Sequence, residues 1–360
     1  MPDFVTNEEI IGAARKRLSV GEWGYFVGGS ESETTMRRNR LAFDRWAFRP
    51  RILRDVSRID PSTTFLGQPM RIPVMLAPVG SLQLCTLNGG VDAATAAREF
   101  GTMHCVSSVT EPAWEETAEA GTKFFQLYIR GDEAWTERAV KRISDAGYEA
   151  LALTVDTAIY SRRERPLVAG FAPPTRRGGR QQLAQYNYLA ELTWDKLKQI
   201  KAWWGDKPLM VKGVTTAEDA ILCVEHGVDV VWVSNHGGRQ LDHGLGSLDV
   251  LPGIVAAVDG KAEIVVDGGV QRGTDILKAI ALGANCVAIG RLQVWGLAAN
   301  GKDGCSRMLE ILESEMVSAM GLLGVTSLSE LSPAYLCRSE PTTPPHEMSS
   351  WPNLPGGRLI

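Results

Sequence analysis

The chain has 360 residues, of which 44% are hydrophobic and 22% are charged, as is usual for a soluble globular protein. Its 38 basic and 42 acidic side chains give a net charge of −4, without the basic surplus that nucleic-acid binding needs. No apolar run approaches the roughly 20 residues of a membrane helix. We therefore expect no nucleic-acid partner and no membrane insertion.

The first residues contain neither the basic nor the apolar region of a secretory signal. The six cysteines are scattered without a CxxC pair, and most lie in apolar segments. Reduced core cysteines of this kind are typical of cytosolic proteins, so we predict a cytoplasmic location.

Two helices are predicted at 7–18 and 34–43, and they form a helical preamble over residues 1–65. Eight short apolar runs follow and are typical of buried parallel strands. They lie at 73–78, 104–108, 123–128, 150–156, 208–213, 228–235, 263–269 and 286–291. Amphipathic stretches at 132–147, 215–227 and 272–283 end in glycine, the usual residue after a helix.

Strands that alternate with helices predict an α/β fold, a TIM (β/α)8 barrel over residues 66–335 of a single domain 1–360. A long gap separates the fourth and fifth strands. Within it, the basic segment 172–180 is rich in glycine and proline and predicts a lid over the active face. The tail, residues 336–360, carries several prolines and is expected to be extended or disordered.

Polar residues stand at the ends of seven of the eight predicted strands, where the chemistry of TIM barrels takes place. They include Ser107, Gln126, Tyr128, Thr154, Asp156, Lys212, Ser234, His236, Asp267 and Arg291. A barrel with only a structural role would not need such a ring, so we predict an enzyme. The ring holds one histidine and no HxH or HExxH spacing, which predicts that no metal is bound.

Two kinds of chemistry are present in this ring. Glycines leave backbone N–H groups of 267–269 and 290–291 available for a phosphate, as in the common barrel phosphate site. His236 and Arg239 lie three residues apart among glycines. Such a histidine can accept a proton near neutral pH, and the arginine can bind a carboxylate through two hydrogen bonds. His-Gly-Gly turns also occur for conformational reasons, so this motif alone leaves a structural role open.

The sequence resembles the family of FMN-dependent (S)-2-hydroxy acid oxidases and dehydrogenases, which includes glycolate oxidase, lactate oxidase and mandelate dehydrogenase. The resemblance runs from about residue 8 to residue 335 and is strongest at Ser234-Asn235-His236-Gly237-Gly238-Arg239-Gln240. Other matching segments are 48–53, 124–128, 153–157, 211–214, 267–275 and 289–291. The resemblance implies bound FMN, a 2-hydroxy acid substrate, O2 or a quinone as electron acceptor, and a homo-oligomer, either a tetramer or an octamer.

The resemblance also implies a role for each matching residue. His236 would be the catalytic base with Asp156 bonded to it, and a neighbouring carboxylate is expected to raise the histidine pKa. The substrate carboxylate would contact Tyr25, Arg163 and Arg239, Tyr128 would contact the substrate oxygen near the reacting carbon, and Lys212 would stabilise the reduced flavin. The cofactor-binding residues would be Ala77, Pro78, Val79, Ser107, Gln126, Thr154, Lys212, Ser234, Gly237, Asp267, Gly268, Gly269, Arg272, Gly290 and Arg291.

Three further residues resemble the walls of a substrate pocket. Gly80 and Val109 are small where glycolate oxidases carry larger side chains, and Tyr160 could fill the space or stack on an aryl group. This pattern favours a bulky acid such as mandelate, or a medium-chain acid, over glycolate. The alternatives are a short-chain lactate or glycolate oxidase, another FMN barrel such as an isopentenyl diphosphate isomerase, and a silent binding protein. The arginines and the polar ring disfavour the last two.

Overall fold

The computed structural model describes residues 4–121, 123–174, 187–342 and 349–351. The chain begins with helices α1 (Asn7–Arg17), α2 (Val20–Val27) and α3 (Thr34–Asp44). The first and third confirm the helices predicted in the preamble. The second was not predicted. Ser19 and Glu22 form a capping box at its start, and this pattern of a serine followed three residues later by a glutamate is visible in the sequence.

Three short strands follow: β1 (Trp46–Phe48), β2 (Thr63–Phe65) and β3 (Gln68–Met70). The last two pair as an antiparallel hairpin. Its buried side chains, Phe65 and Met70, pack against the residues that fill the barrel interior. The hairpin therefore belongs to the hydrophobic filling of the barrel.

Eight parallel strands then form a closed barrel in which neighbours in sequence are also neighbours in space. They are β4 (Val74–Leu76), β5 (Met103–Ser107), β6 (Phe124–Leu127), β7 (Ala150–Thr154), β8 (Leu209–Val214), β9 (Val230–Val233), β10 (Glu263–Asp267) and β11 (Cys286–Ile289). All eight predicted strands and the TIM-barrel fold are confirmed. The apolar runs identified them because both faces of these strands are buried.

Helices cover the outside of the barrel, as the alternating pattern predicted. They are α4 (Gly89–Phe100), α5 (Glu115–Glu119), α6 (Glu133–Asp145), α8 (Trp194–Trp204), α9 (Ala217–Glu225), α10 (Ser247–Val258), α11 (Gly273–Ala281) and α12 (Arg291–Leu323). A further helix, α7 (Glu164–Val168), lies in the insertion between β7 and β8 and contacts α2. Helix α12 is kinked at Asn300 and Gly301 and packs against α1. Within the described ranges, no helix is both long and apolar enough to cross a bilayer.

The predicted lid and tail are only partly described. Of the segment 172–180, only residues 172–174 lie within the described residues. The tail starts with a strand, β12 (Leu336–Arg338), which pairs antiparallel with β1, so its first residues are not a disordered arm. Farther on, Trp351 is 1% exposed and packs in the main hydrophobic core. The tail therefore holds at least two points of attachment to the folded domain.

Candidate active site

A cavity of about 1610 Å³ opens at the C-terminal ends of the barrel strands, which is the catalytic end of TIM-barrel enzymes. Most predicted site residues line it: Tyr25, Ala77, Pro78, Val79, Gly80, Val109, Tyr128, Tyr160, Arg163, Lys212, His236, Gly237, Arg239, Asp267, Gly268, Gly269, Gly290 and Arg291. The fold thus brings together side chains from α2, from the strand ends and from the long insertion.

His236 lies between Asp156 and Tyr128. Its Nδ1 is 3.0 Å and 3.2 Å from the two carboxylate oxygens of Asp156, and its Nε2 is 3.5 Å from the hydroxyl of Tyr128. A carboxylate only accepts hydrogen bonds, so Nδ1 carries the hydrogen and Nε2 is left as the proton acceptor. The backbone of His236 has a φ of +59°, in the left-handed region that functional residues often occupy at an energetic cost.

Burial is the main influence on the protonation state of the His236 imidazole. It lowers the pKa of His236 below its usual 6.5, and Lys212 and Arg163 add to the effect, while Asp156 opposes it. Asp156 raises the pKa as expected, but the cost of burying the imidazolium exceeds the attraction of this one carboxylate, so the net shift is downward. For Asp156, burial raises the pKa but the contact with His236 outweighs it, so this carboxyl is ionised. At neutral pH His236 is thus a neutral base beside an anion.

Two arginines lie close to this base. Arg239 donates through Nη1 to the carbonyl oxygens of Tyr25, Phe26 and Gly28, at 2.6, 3.2 and 2.9 Å. Burial, and then the neighbouring Arg163, lower the pKa of Arg239 to about 9. Two like charges held in a buried site favour an anionic ligand, and a carboxylate fits the planar fork of a guanidinium.

Helix α2 places Tyr25 in the cavity, where its predicted role requires it. The Tyr25 ring lies 5.1 Å from the guanidinium carbon of Arg239, and it lines the cavity. The last carbonyl groups of α2 are also the acceptors that hold Arg239. A helix C-terminus carries partial negative charge, so α2 stabilises the cation while presenting the tyrosine.

Lys212 belongs to a buried network with Ser234 and Asp267. Its Nζ donates to Ser234 Oγ at 2.9 Å and lies 3.3 Å from Asp267 Oδ2. The Ser234 hydroxyl donates to Asp267 at 2.8 Å and accepts from the backbone N–H of His236 at 3.1 Å. Trp232 Nε1 donates to the same carboxylate at 2.9 Å. The lysine charge is therefore held in one orientation, beside the base.

Buried polar atoms behind the cavity indicate whether the site fits a flavin ring. Ser107 donates to Gln126 Oε1 at 2.8 Å, which orients the amide and directs its Nε2 donor elsewhere. That Nε2 and Thr154 Oγ1 are buried without a hydrogen-bond partner among the described residues. Leaving such a group unsatisfied costs about 1–3 kcal/mol, which a polar planar ligand would offset. These residues fit the heteroatom edge of an isoalloxazine ring.

The predicted phosphate site is built from glycines held by the preamble. Gly268 and Gly269 have φ values of +100° and +88°, and a Cβ at Gly269 would lie 2.8 Å from the carbonyl oxygen of Asn39. Arg40 donates to the Gly269 carbonyl at 2.7 Å and forms a buried ion pair with Asp275. Only glycine allows this approach, so α3 holds the loop in place.

Arg291 also lies at this end of the cavity. Its Nε donates to the carbonyls of Phe26 and Val27 at 3.2 Å, and Nη1 donates to Gly237 at 3.0 Å. A Cβ at Gly237 would lie 2.9 Å from Nη1, so the arginine packs against that loop. The C-terminal carbonyls of α2 therefore hold two arginines, Arg239 and Arg291.

The side chain of Arg272, another predicted cofactor ligand, is held away from the cavity. It does not line the cavity; its Nη1 donates to Glu315 at 2.7 Å, and its Nη2 to the carbonyl of Ser350 at 2.8 Å. The preceding residue, Gln271, lines the cavity instead. The reason is local, because Arg272 is the N-cap residue of α11 and its side chain points toward α12.

The predicted pocket wall is tightly fitted. A methyl group placed on Gly80 would lie 2.6 Å from Val109 Cγ2, so these two residues face each other. The ring of Tyr160 lies 4.3 Å from the guanidinium carbon of Arg163, a cation–π contact at the edge of the cavity. Tyr160 therefore packs on the arginine, leaving one wall formed by small side chains.

The position of Gln240 in the site was not predicted from the sequence. Its Oε1 accepts from Arg163 Nη2 at 3.1 Å, and its Nε2 donates to the carbonyls of Asp156 and Ile159 at 2.8 and 3.0 Å. Arg163 Nε also donates to the Arg239 carbonyl at 3.1 Å. The position next to Arg239 was visible in the motif, but its contacts across two loops were not.

Comparisons with known proteins agree with this geometry. A family profile described as FMN-dependent dehydrogenase matches residues 14–338. The chain is 39% identical to L-lactate oxidase of Nostoc sp., across 90% of this chain and 95% of that one. It is 39% identical to glycolate oxidase 1 of Zea mays, across 90% and 93%. A solved mandelate oxidase mutant with (S)-mandelic acid is 36% identical, with a TM-score of 0.86 over 94% of this chain and 100% of its own.

Proposed function

Because this chain belongs to the FMN-dependent dehydrogenase family and oxidises 2-hydroxy acids, we propose that its substrate is a bulky or aryl (S)-2-hydroxy acid and its electron acceptor O2. One observation carries the catalytic part of the proposal. A neutral histidine, oriented by an ionised aspartate, lies in the same cavity as two buried arginines that can bind a carboxylate.

In the proposed reaction, Arg163 and Arg239 hold the substrate carboxylate and so fix the position of its C2 carbon. His236 Nε2 accepts one proton, from the 2-hydroxyl if a hydride leaves C2 or from C2 itself if a carbanion forms. In the second case the 2-hydroxyl proton leaves together with the two electrons. Bound FMN supplies the acceptor for the two electrons that leave the substrate. Asp156 stabilises the imidazolium that results. Burial raises the pKa of Tyr128, so its hydroxyl stays protonated and can donate to the substrate oxygen.

The residues proposed to hold FMN are those of the buried polar set and the glycine loops. Gln126, Thr154 and Ser107 would bind the ring, and Lys212 would supply positive charge beside it. The phosphate would bind backbone N–H groups of the loops at 268–269 and 290–291. We do not include Arg272 among the direct ligands, because Glu315 and Ser350 hold its side chain.

The proposed substrate size rests on the wall formed by Gly80 and Val109. An unfilled pocket loses apolar burial worth about 0.8 kcal/mol per methylene, so a short acid would bind less well there. Mandelate oxidase structures with (S)-mandelic acid are among the similar folds, which supports an aryl acid. A short-chain acid such as lactate is the second candidate, since a lactate oxidase is 39% identical.

The proposal also covers the electron acceptor, the assembly and the location of the protein. The similar curated proteins are named oxidases, which favours O2 over a quinone. A tetramer or octamer and a cytoplasmic location follow from the resemblance and from the reduced cysteines. Light scattering after size exclusion tests the assembly, and oxygen consumption with a panel of 2-hydroxy acids tests both acceptor and substrate.

For the base, we predict that His236→Gln retains FMN but loses reduction by substrate. Removing a general base lowers rates by on the order of 10²–10⁴-fold. The measurement is anaerobic stopped flow, in which the yellow absorbance bleaches when substrate is added. Near-normal bleaching by the variant would rule out His236 as the base. A parent protein that no 2-hydroxy acid bleaches would contradict the proposed substrate class.

The pH dependence gives a second test. His236 must be neutral to accept a proton, so the rate of flavin reduction should fall as the pH drops through a pKa below 6.5. Asp156 raises that pKa, so Asp156→Asn should move the acid limb to lower pH and also lower the plateau, because the imidazolium is less stabilised. An acid limb that stays in place, or moves to higher pH, would contradict the pairing.

Gln240 is predicted to act by orienting Arg163. Replacing it with Met should raise KM more than it lowers kcat, by about tenfold, as expected for a lost hydrogen bond to a charged group. In an Arg163→Leu background the same change should have little further effect. Gln240→Glu, which keeps the acceptor, should retain more activity than Gln240→Met. Additive losses with a lowered Tm would instead indicate a general structural role.

For the pocket wall, we predict that the parent has a higher kcat/KM for (S)-mandelate than for glycolate. Gly80→Ala should shift the ratio toward glycolate because the new methyl group meets Val109 Cγ2. Adding Val109→Ala should restore part of the mandelate preference by removing that contact. A parent that prefers glycolate, or a ratio unchanged in all variants, would show that these positions do not set substrate size.

A further inference from the structure

The C-terminal tail contributes to the same cavity as the catalytic residues. Trp351 is 1% exposed, and its side chain lines the cavity together with Val270 and Gln271. These two residues directly follow the glycines of the proposed phosphate loop. An indole from the tail therefore lies on the side of the cavity where the phosphate is expected.

Arg272 fixes the tail in that position. Its guanidinium carbon lies 4.1 Å from the centre of the Trp351 ring, and Nε and Nη2 donate to the Ser350 carbonyl at 3.3 and 2.8 Å. The remaining nitrogen, Nη1, donates to Glu315 at 2.7 Å, and Glu315 also accepts from the backbone N–H of Gly273 at 2.7 Å. One arginine thus links the tail, the start of α11 and the middle of α12.

The contact between Trp351 and Arg272 indicates a function for the tail. A buried indole excludes water from its neighbours, and fewer water molecules mean stronger interaction between a phosphate and nearby donors. Arg272 does not reach the cavity, yet it holds a residue that does. Its charge is also balanced by Glu315, so the pair adds no unpaired cation to this region.

We propose that Trp351, held by Arg272, forms a wall of the FMN site and slows release of the cofactor. This inference rests on the placement of the phosphate end given above, but not on the identity of the substrate. The residues from the tail are positioning residues for the cofactor rather than catalytic residues. The tail would then have a function separate from the chemistry of oxidation.

The test is the rate at which the purified holoenzyme releases FMN after dilution, followed by recovery of free flavin fluorescence. Trp351→Ala should release FMN about tenfold faster, since it removes most of the apolar contact of the wall. Trp351→Phe should stay within about threefold of the parent, because it keeps a large ring in place. Arg272→Leu should resemble Trp351→Ala and add little to it in the double variant.

Trp46→Ala is the matched control. Trp46 also stacks on an arginine, with Arg338 at 4.0 Å, and it belongs to the strand that pairs with the tail, but it does not line the cavity. It should therefore release FMN at the parent rate. Equal release from the parent and Trp351→Ala, equal acceleration by Trp46→Ala, or slower release from Trp351→Ala would each overturn the proposal. Because release needs no substrate, a failure of the proposed substrate would leave this result intact.

Discussion

The site depends on three arginines that line one cavity, Arg163, Arg239 and Arg291. Burial and the neighbouring Arg163 disfavour the cationic form of Arg239, whose pKa falls to about 9. Backbone carbonyls accept hydrogen bonds from Arg239 and Arg291 and hold both side chains in place. An anion that enters the cavity would stabilise these cations. Under the proposed function, a carboxylate binds at one end of the cavity and a phosphate at the other.

The preamble is for this reason part of the site and not an appendage to the barrel. The carbonyls at the end of α2 hold Arg239 and Arg291, and Arg40 of α3 holds the Gly269 loop. A bare barrel would present the same strand ends but would lack the α2 carbonyls that accept hydrogen bonds from both arginines. The orientation of the charges therefore comes from the first helices, while the base and Lys212 come from the strands.

Local patterns in the sequence predicted what local physics determines. The run ending at Val233 identified a strand, the strand-end rule placed Asp156 and His236 in one polar ring, and the family resemblance paired them. Sequence patterns say less where distant segments decide the outcome. Arg272 follows the phosphate loop in sequence, yet its side chain donates hydrogen bonds to Glu315 and to the Ser350 carbonyl. The pKa of His236 depends on burial, which a motif does not reveal. Gln240 and Trp351 act across loops, and no spacing rule connects them to their partners.

The cavity joins residues from both ends of the described chain, Tyr25 and Trp351. Barrel closure likewise waits for β11, which pairs with β4. During synthesis, the α2 carbonyls that accept hydrogen bonds would leave the ribosome long before their donors, Arg239 and Arg291. A nascent chain can therefore form helices and strand pairs early, but the cavity has all these lining residues only after Trp351 has emerged. Under the proposal for Trp351, a chain that stops before this residue would still bind FMN but would release it faster, because one wall of the site is missing.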